Sequence, residues 1–165
     1  MKKFSYLFVL AFTALSCVQA QKTTFSDEAL KEKLTSFEGL GVPFSDILNA
    51  HAGKTTVIEV WASWCGDCVK AMPKLKKLQK NNPDVDYVFI SMDRAGDKWK
   101  DGIIKHDLQG DHYWAEDGMK GAFAKAIDLD WIPRYIIIDK TGKIVTYRAI
   151  ETDFDKINAT LKTLK

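Results

Sequence analysis

Cys65 and Cys68, separated by two residues, have the clearest capacity for chemistry in the sequence. Two thiols one helical turn apart lie on the same side of a helix and can exchange between dithiol and disulfide. Cys65 is expected in the first helical turn, where free backbone N–H groups and the helix dipole favour a thiolate. Because the thiolate is the nucleophile, we predict that Cys65 attacks a disulfide and Cys68 resolves the mixed disulfide.

A structural disulfide and half of a zinc site are the alternatives for the same pair. A bridge between positions this close closes a small loop, which would stabilise a fold little. Zinc would need further soft ligands, and the three histidines, His51, His106 and His112, show no second paired spacing. The sequence therefore predicts a redox pair that works without a metal or another cofactor.

The first twenty residues are typical of an export signal. Lys2 and Lys3 precede an apolar stretch, residues 4–15, which is shorter than the roughly 20 apolar residues that a membrane span needs. Small residues follow that stretch, as they do before a cleavage site. We predict that residues 1–20 are a cleaved signal peptide and that the protein is exported, in a bacterium to the periplasm.

Two processing events compete at the end of this signal. Residues 18–20 fit cleavage before Gln21, whereas residues 14–17 resemble a loose lipobox that would leave Cys17 lipidated. The first event gives a free domain and the second a membrane-anchored lipoprotein. In both cases the mature protein is one domain, which we place at residues 21–165.

The composition supports a single globular domain and gives no reason to expect nucleic acid as a partner. The chain is 46% hydrophobic and 28% charged, which is ordinary for a globular protein. Removing residues 1–20 deletes two of the 24 basic residues and none of the 22 acidic ones. The mature chain is then close to neutral, without the positive charge that binding to phosphates requires.

The hydrophobic pattern predicts which elements position the cysteines. A β-branched run over residues 55–61 predicts a strand that leads into the motif, and a helix should follow as far as residues 81–83. The other predicted elements are a helix after Ser26 that carries Leu30, Leu34 and Phe37, an extended piece at 42–44, a helical turn at 45–48, strands at 85–92, 134–138 and 143–147, a short extended segment at 112–114, and helices at 97–105, 118–127 and from 152 onward. This order predicts an α/β fold with a mixed central β-sheet flanked by helices.

Several of these segments resemble one known family. The segment 57–68, VIEVWASWCGDC, resembles the active-site strand and helix of thioredoxins, and more closely their exported bacterial relatives of the TlpA/ResA type. Pro73 stands at the family's helix-kinking proline, residues 131–133 resemble its cis-proline loop, and residues 139–143 resemble its hairpin turn. The resemblance covers residues 40–165 and implies a thioredoxin-like fold and thiol–disulfide oxidoreductase activity.

The resemblance also implies roles for residues near the pair. Pro133 is expected to be cis, to keep other donors and metals off the thiols and to expose the backbone of Ile132 to an extended substrate. Glu59 holds the position of a buried acid, where a raised pKa lets it accept and return the proton of the second cysteine. Trp64 is expected to shield the nucleophile and contact the partner. The alternatives are a trans turn at Pro133, a solvent-exposed Glu59 or one paired with Lys54, and simple packing of Trp64.

Charged residues near the motif are less informative. Asp67 stands where thioredoxins usually have proline, and its charge opposes a thiolate on Cys65, whereas loss of the proline has the opposite tendency in the family. The redox direction is therefore open on these grounds. Asp93, Arg94 and Arg134 are expected to be ordinary surface charges, with a place on the rim of the site as the alternative.

These observations together predict an exported enzyme that reduces the disulfides of partner proteins. The resemblance suggests a membrane protein as its electron donor. A disulfide oxidase or isomerase with the same residues is the runner-up. A thiol peroxidase, which would need a separate peroxidatic cysteine, and a non-catalytic binding module are the further alternatives.

Overall fold

A seven-stranded mixed sheet forms the centre of the computed structural model, which describes residues 21–165. The predicted signal peptide and Cys17 lie outside the described residues. The strands are β1 (Lys33–Ser36), β2 (Gly41–Pro43), β3 (Thr56–Trp61), β4 (Asp86–Ser91), β5 (Asp111–Trp114), β6 (Arg134–Ile138) and β7 (Ile144–Ala149). Their order across the sheet is β2-β1-β5-β4-β3-β6-β7.

Within residues 21–165, six α-helices precede, connect and follow these strands. They are α1 (Asp27–Lys31), α2 (Phe44–Ala50), α3 (Gly66–Asn81), α4 (Gly96–His106), α5 (Ala122–Ala126) and α6 (Phe154–Thr163), with a short 3₁₀ turn at Gly118–Lys120. Helix α1 packs on α2 and α5, and α3 packs on α6. None of the helices within residues 21–165 is long and apolar enough to cross a membrane. The predicted mixed sheet flanked by helices is confirmed.

Strand β3 lies inside the sheet, and the cysteine motif follows its carboxyl end. It pairs in parallel with β4 and antiparallel with β6, and all six of its residues are buried. Glu59 lies opposite Phe89 on β4 and Tyr135 on β6. Because parallel strands end at the same edge, the loop after β3 and the loop after β4 meet there. This edge is where α3 begins.

The predicted helix after Ser26 is wrong beyond Lys31. Residues 33–36 form β1, in which alternate residues are buried, as is typical of a strand. This strand pairs with β2 on one side and with β5 on the other. Pairing at the sheet therefore overrides the helical spacing of the apolar residues in this segment.

The predicted helix at 118–127 is present in two pieces. A 3₁₀ turn and α5 are separated at Gly121, which caps α5 in an extended conformation. A Cβ at Gly121 would lie 2.3 Å from the Cβ of Asp117, so the chain can make this close approach only at glycine. The other predicted strands and helices are present.

Candidate active site

Cys65 and Cys68 form a disulfide at the start of α3. Cys65 caps the helix, and its Sγ accepts a hydrogen bond from the backbone N–H of Cys68 at 3.1 Å. The helix is 16 residues long, so the positive end of its dipole lies at Cys65. Cys65 is 6% exposed and Cys68 is fully buried. Of the two cysteines only Cys65 has any exposed surface, and the helix start favours its thiolate once the pair is reduced.

The loop before β6 lies against this disulfide. The peptide bond between Ile132 and Pro133 is cis. The carbonyl oxygen of Ile132 lies 3.6 Å from Sγ of Cys65. The structure thus brings the cysteine motif and the proline loop, which the resemblance singled out, into direct contact between two residues that are 67 positions apart in the sequence.

Two tryptophans next to this contact are half exposed. Trp64 precedes Cys65 and is 53% exposed, so simple packing in the interior does not describe it. Trp131 precedes Ile132 and is also 53% exposed. Trp131 was not among the contact residues predicted from the sequence. Two exposed indole side chains therefore lie in the segments that meet at the disulfide, rather than the single one expected.

Glu59 is buried in the sheet and carries a perturbed carboxyl group. It is 3% exposed, so it neither reaches solvent nor lies at an edge of the sheet. The phenolic O–H of Tyr135 donates a hydrogen bond to its Oε1 at 3.1 Å, while Oε2 has no hydrogen-bond partner among the described residues. Burial raises the pKa of Glu59 to about 8, and the Tyr135 hydrogen bond partly opposes that rise. Glu59 can therefore gain or lose a proton near neutral pH.

Asp93 is not the surface charge that the sequence predicted. It is 1% exposed and lies two residues after the end of β4, at the sheet edge where β3 also ends. Its carboxylate accepts hydrogen bonds from the backbone N–H of Ser63 at 3.0 Å, from the Ser63 hydroxyl at 2.6 Å and from the Ser91 hydroxyl at 2.8 Å. These bonds tie down the loop that leads from β3 to the cysteines.

Helix α4 closes on the same loop. A Cβ at Gly102 would lie 2.8 Å from the Cβ of Ser63 and 3.1 Å from the ring of Trp61. Glycine therefore allows the helix to approach the loop more closely than any other residue could. The loop before the cysteines is held by Asp93 and by this helix.

We expect Asp93→Ala to lower the free energy of unfolding by about 3 kcal/mol, because it leaves the donors of the half-buried Ser63 and the buried Ser91 without their acceptor. Urea unfolding of the oxidised protein measures this difference. Asp101→Ala, which removes an exposed carboxylate on α4, is the matched control and should change stability little. Equal unfolding curves for the two variants would contradict the role given to Asp93.

Arg134 is also buried, contrary to the sequence prediction, whereas Arg94 is exposed as expected. The Arg134 guanidinium donates to the carboxylate of Asp130 and to the backbone carbonyl of Asp128 at 3.4 Å. Arg148 donates to the other oxygen of Asp130 at 2.7 Å. These contacts hold the segment that leads into the Ile132–Pro133 loop. They also neutralise the Arg134 guanidinium, which explains how this charged side chain can be buried at the start of β6.

The histidines lie apart from this arrangement. The ring of His51 pairs with Asp86 at 2.9 Å, and His112 lies 3.2 Å from the carbonyl oxygen of Leu108. In the part of the chain that the structure describes, no three His, Cys, Asp or Glu side chains are grouped so that they could hold a metal ion.

The sheet order, the cysteine pair at a helix start and the proline loop beside it define a thioredoxin-like protein. Residues 53–144 match the family model described as Thioredoxin-like, and the chain belongs to this family. It is 28% identical over 102 residues to the thiol-disulfide oxidoreductase YkuV of Bacillus subtilis (strain 168), covering 58% of this chain and 67% of YkuV.

Other relatives agree with this class. The chain is 24% identical over 127 residues to the thiol-disulfide oxidoreductase ResA of Bacillus thuringiensis subsp. konkukian, covering 76% of this chain and 69% of ResA. A solution structure from Bacteroides vulgatus, proposed to be a thiol-disulfide oxidoreductase, is 29% identical with a TM-score of 0.67, covering 82% of this chain and 87% of that one. Within its family the chain is a thiol–disulfide oxidoreductase.

Proposed function

We propose that the protein is an exported enzyme that reduces disulfides of partner proteins through Cys65 and Cys68. The observation that carries this proposal is the asymmetry of the pair. Cys65 caps the start of a long helix and is 6% exposed, whereas Cys68 lies in the first turn of that helix and is fully buried. One sulfur is therefore suited to meet a partner and the other to release it.

The reaction begins with the reduced pair. The Cys65 thiolate attacks a partner disulfide, so that a bond from Cys65 to one partner sulfur forms and the partner S–S bond breaks. The leaving partner thiolate takes up a proton. Cys68 then attacks Cys65, the enzyme disulfide forms, and the second partner sulfur leaves and is protonated. The enzyme has been oxidised and the partner disulfide reduced to two thiols.

The other residues of the site support these two steps. Glu59 accepts the proton of Cys68 when Cys68 attacks, and its raised pKa suits that exchange near neutral pH. An extended partner segment pairs with the backbone of Ile132, which the cis-Pro133 loop presents beside Cys65. Trp64 contacts the partner with its exposed indole.

The redox direction depends on two opposed effects. The helix start stabilises a Cys65 thiolate and so makes the disulfide more oxidising. Asp67, which lies 3.5 Å from Lys70, places a negative charge in the first turn and opposes that thiolate. We favour the reductase, whose electrons would come from a membrane protein. The helix effect supports an oxidase or isomerase as the second candidate.

The reduction of insulin by dithiothreitol in the presence of the protein tests the activity. The purified protein should accelerate the reaction, and Cys65→Ser should not. No difference between the two proteins would reject the proposed enzyme and favour a binding module. Equilibration of the pair in thiol–disulfide buffers tests the direction. A potential near about −270 mV supports a reductase, and one near about −120 mV rejects it in favour of an oxidase.

Export is supported by the two lysines, the apolar stretch and the small residues at the N-terminus. The mass of the protein isolated from its own cells tests this part of the proposal. A chain that begins at Gln21 supports cleavage of residues 1–20, and a lipid-modified chain that begins at Cys17 supports the anchored form. An uncleaved chain in the cytoplasm would reject export.

A further inference from the structure

Tyr135 makes a hydrogen bond in the core that has no part in the proposed reaction. It lies on β6 directly opposite Glu59 on β3. Its phenolic O–H donates to Oε1 of Glu59 at 3.1 Å, and both side chains are buried. The pairing of these strands fixes the phenol and the carboxyl group against each other.

This hydrogen bond makes the two carboxyl oxygens of Glu59 different. Oε1 is occupied by the phenol, whereas Oε2 is buried without a hydrogen-bond partner in residues 21–165. A buried polar oxygen without a partner is unfavourable, and more so when it carries charge. A proton on Oε2 relieves that penalty, so Oε2 is the oxygen suited to take up a proton.

We propose that Tyr135 is a positioning residue whose hydrogen bond to Oε1 holds the Glu59 carboxyl so that Oε2 exchanges a proton with Cys68. This inference rests on the proposed function. When Cys68 attacks, its proton moves to Oε2, the Cys65–Cys68 bond forms, and the bond from Cys65 to the partner breaks, so that the partner sulfur leaves as a thiolate and takes up a proton from solvent. When the pair is reduced again, Oε2 returns the proton to Cys68.

The groups around Glu59 support the phenol as the donor. Burial raises the pKa of the Tyr135 phenol above its ordinary value, and the Glu59 and Glu151 carboxyl groups add to that rise. The phenol therefore stays protonated and can donate. Phe89 lies in register with Glu59 on β4, and Phe154 of α6 packs edge-on against the Tyr135 ring at 5.2 Å, so these neighbours are uncharged.

Carbon-13 NMR of the glutamate side chains of the oxidised protein tests the contact directly. Loss of the donor in Tyr135→Phe should raise the pKa of Glu59 by about one unit, because the hydrogen bond stabilises the carboxylate. Tyr147→Phe is the matched control, since it removes another buried phenol, which donates to the carbonyl of Ile127 at 2.8 Å. The control should leave the Glu59 titration unchanged. An unchanged titration in Tyr135→Phe would overturn the proposal.

A double-mutant cycle tests the consequence for the reaction. The rate at which Cys68 resolves a mixed disulfide should fall about tenfold near neutral pH in Tyr135→Phe, with its pH dependence displaced upward. In the Glu59→Gln protein, adding Tyr135→Phe should change this rate no further. Full additivity of the two changes would reject a role for Tyr135 through Glu59. The NMR titration needs no partner. If the pKa of Glu59 rises as expected in Tyr135→Phe but the unmodified protein does not reduce insulin, the proposed function alone is rejected.

Discussion

Raising the pH from about 4 to about 9 is expected to lower the free energy of unfolding of the oxidised protein by about 5 kcal/mol through Glu59 alone. The pKa of Glu59 is about 8 in the folded protein, against an ordinary value of 4.5. The folded state therefore binds more protons than the unfolded state between these values. This stability is fully present below the unfolded pKa and is lost as the pH rises through the folded pKa.

Urea unfolding across this pH range measures the effect as a difference between two proteins. In Glu59→Gln, the part of the pH dependence that Glu59 contributes should be absent, whatever the stability of that variant at any one pH. Glu116→Gln, which changes an exposed carboxylate, should keep the pH dependence of the unmodified protein. Parallel stability curves for the unmodified protein and Glu59→Gln would show that the buried carboxyl does not titrate in this range.

Cys68→Ser is expected to stop turnover and to leave partner proteins joined to Cys65. The Cys65 thiol still attacks, but no second thiol can release the partner. Turnover with insulin should fall at least about 1000-fold, because the two cysteines act as one unit. Non-reducing electrophoresis and mass spectrometry of the product measure the trapped mixed disulfide.

Cys65→Ser is the matched variant for this prediction. Its remaining thiol belongs to Cys68, which is fully buried, so it should neither turn over nor trap a partner. Trapping by Cys65→Ser instead of Cys68→Ser would reverse the roles of the two cysteines. Equal trapping by both variants would show that the buried sulfur is reached as readily as the exposed one.

The elements with strong local patterns were predictable from the sequence. The β-branched run before the cysteines is strand β3, and the motif begins helix α3. The helix predicted after Ser26, with Leu30, Leu34 and Phe37 on it, failed beyond Lys31 because residues 33–36 gain more from pairing with β5 and β2 than from helical spacing. The local sequence pattern carries no information about which strands become neighbours in the sheet.

The same reason explains what the sequence analysis missed in the site. Asp93 and Tyr135 are buried and paired only because distant segments meet, whereas Arg134 pairs with the nearby Asp128 and Asp130 and is buried where β6 enters the sheet. Asp93 had one usable signal. A carboxylate directly after the strand predicted at residues 85–92 lies at the sheet edge where β3 ends and the loop to the cysteines begins. Tyr135 had a weaker signal, as a side chain with a hydroxyl group in a strand that could pair beside Glu59.

The contacts that complete the site also set the order in which it can form during synthesis. Ile132 is 67 residues beyond Cys65, and Tyr135 is 76 residues beyond Glu59. The cysteines of a growing chain therefore exist long before β6 does, and pairing over such a separation is slow. Until β6 joins β3, both thiols are open to oxidants and to other nascent chains.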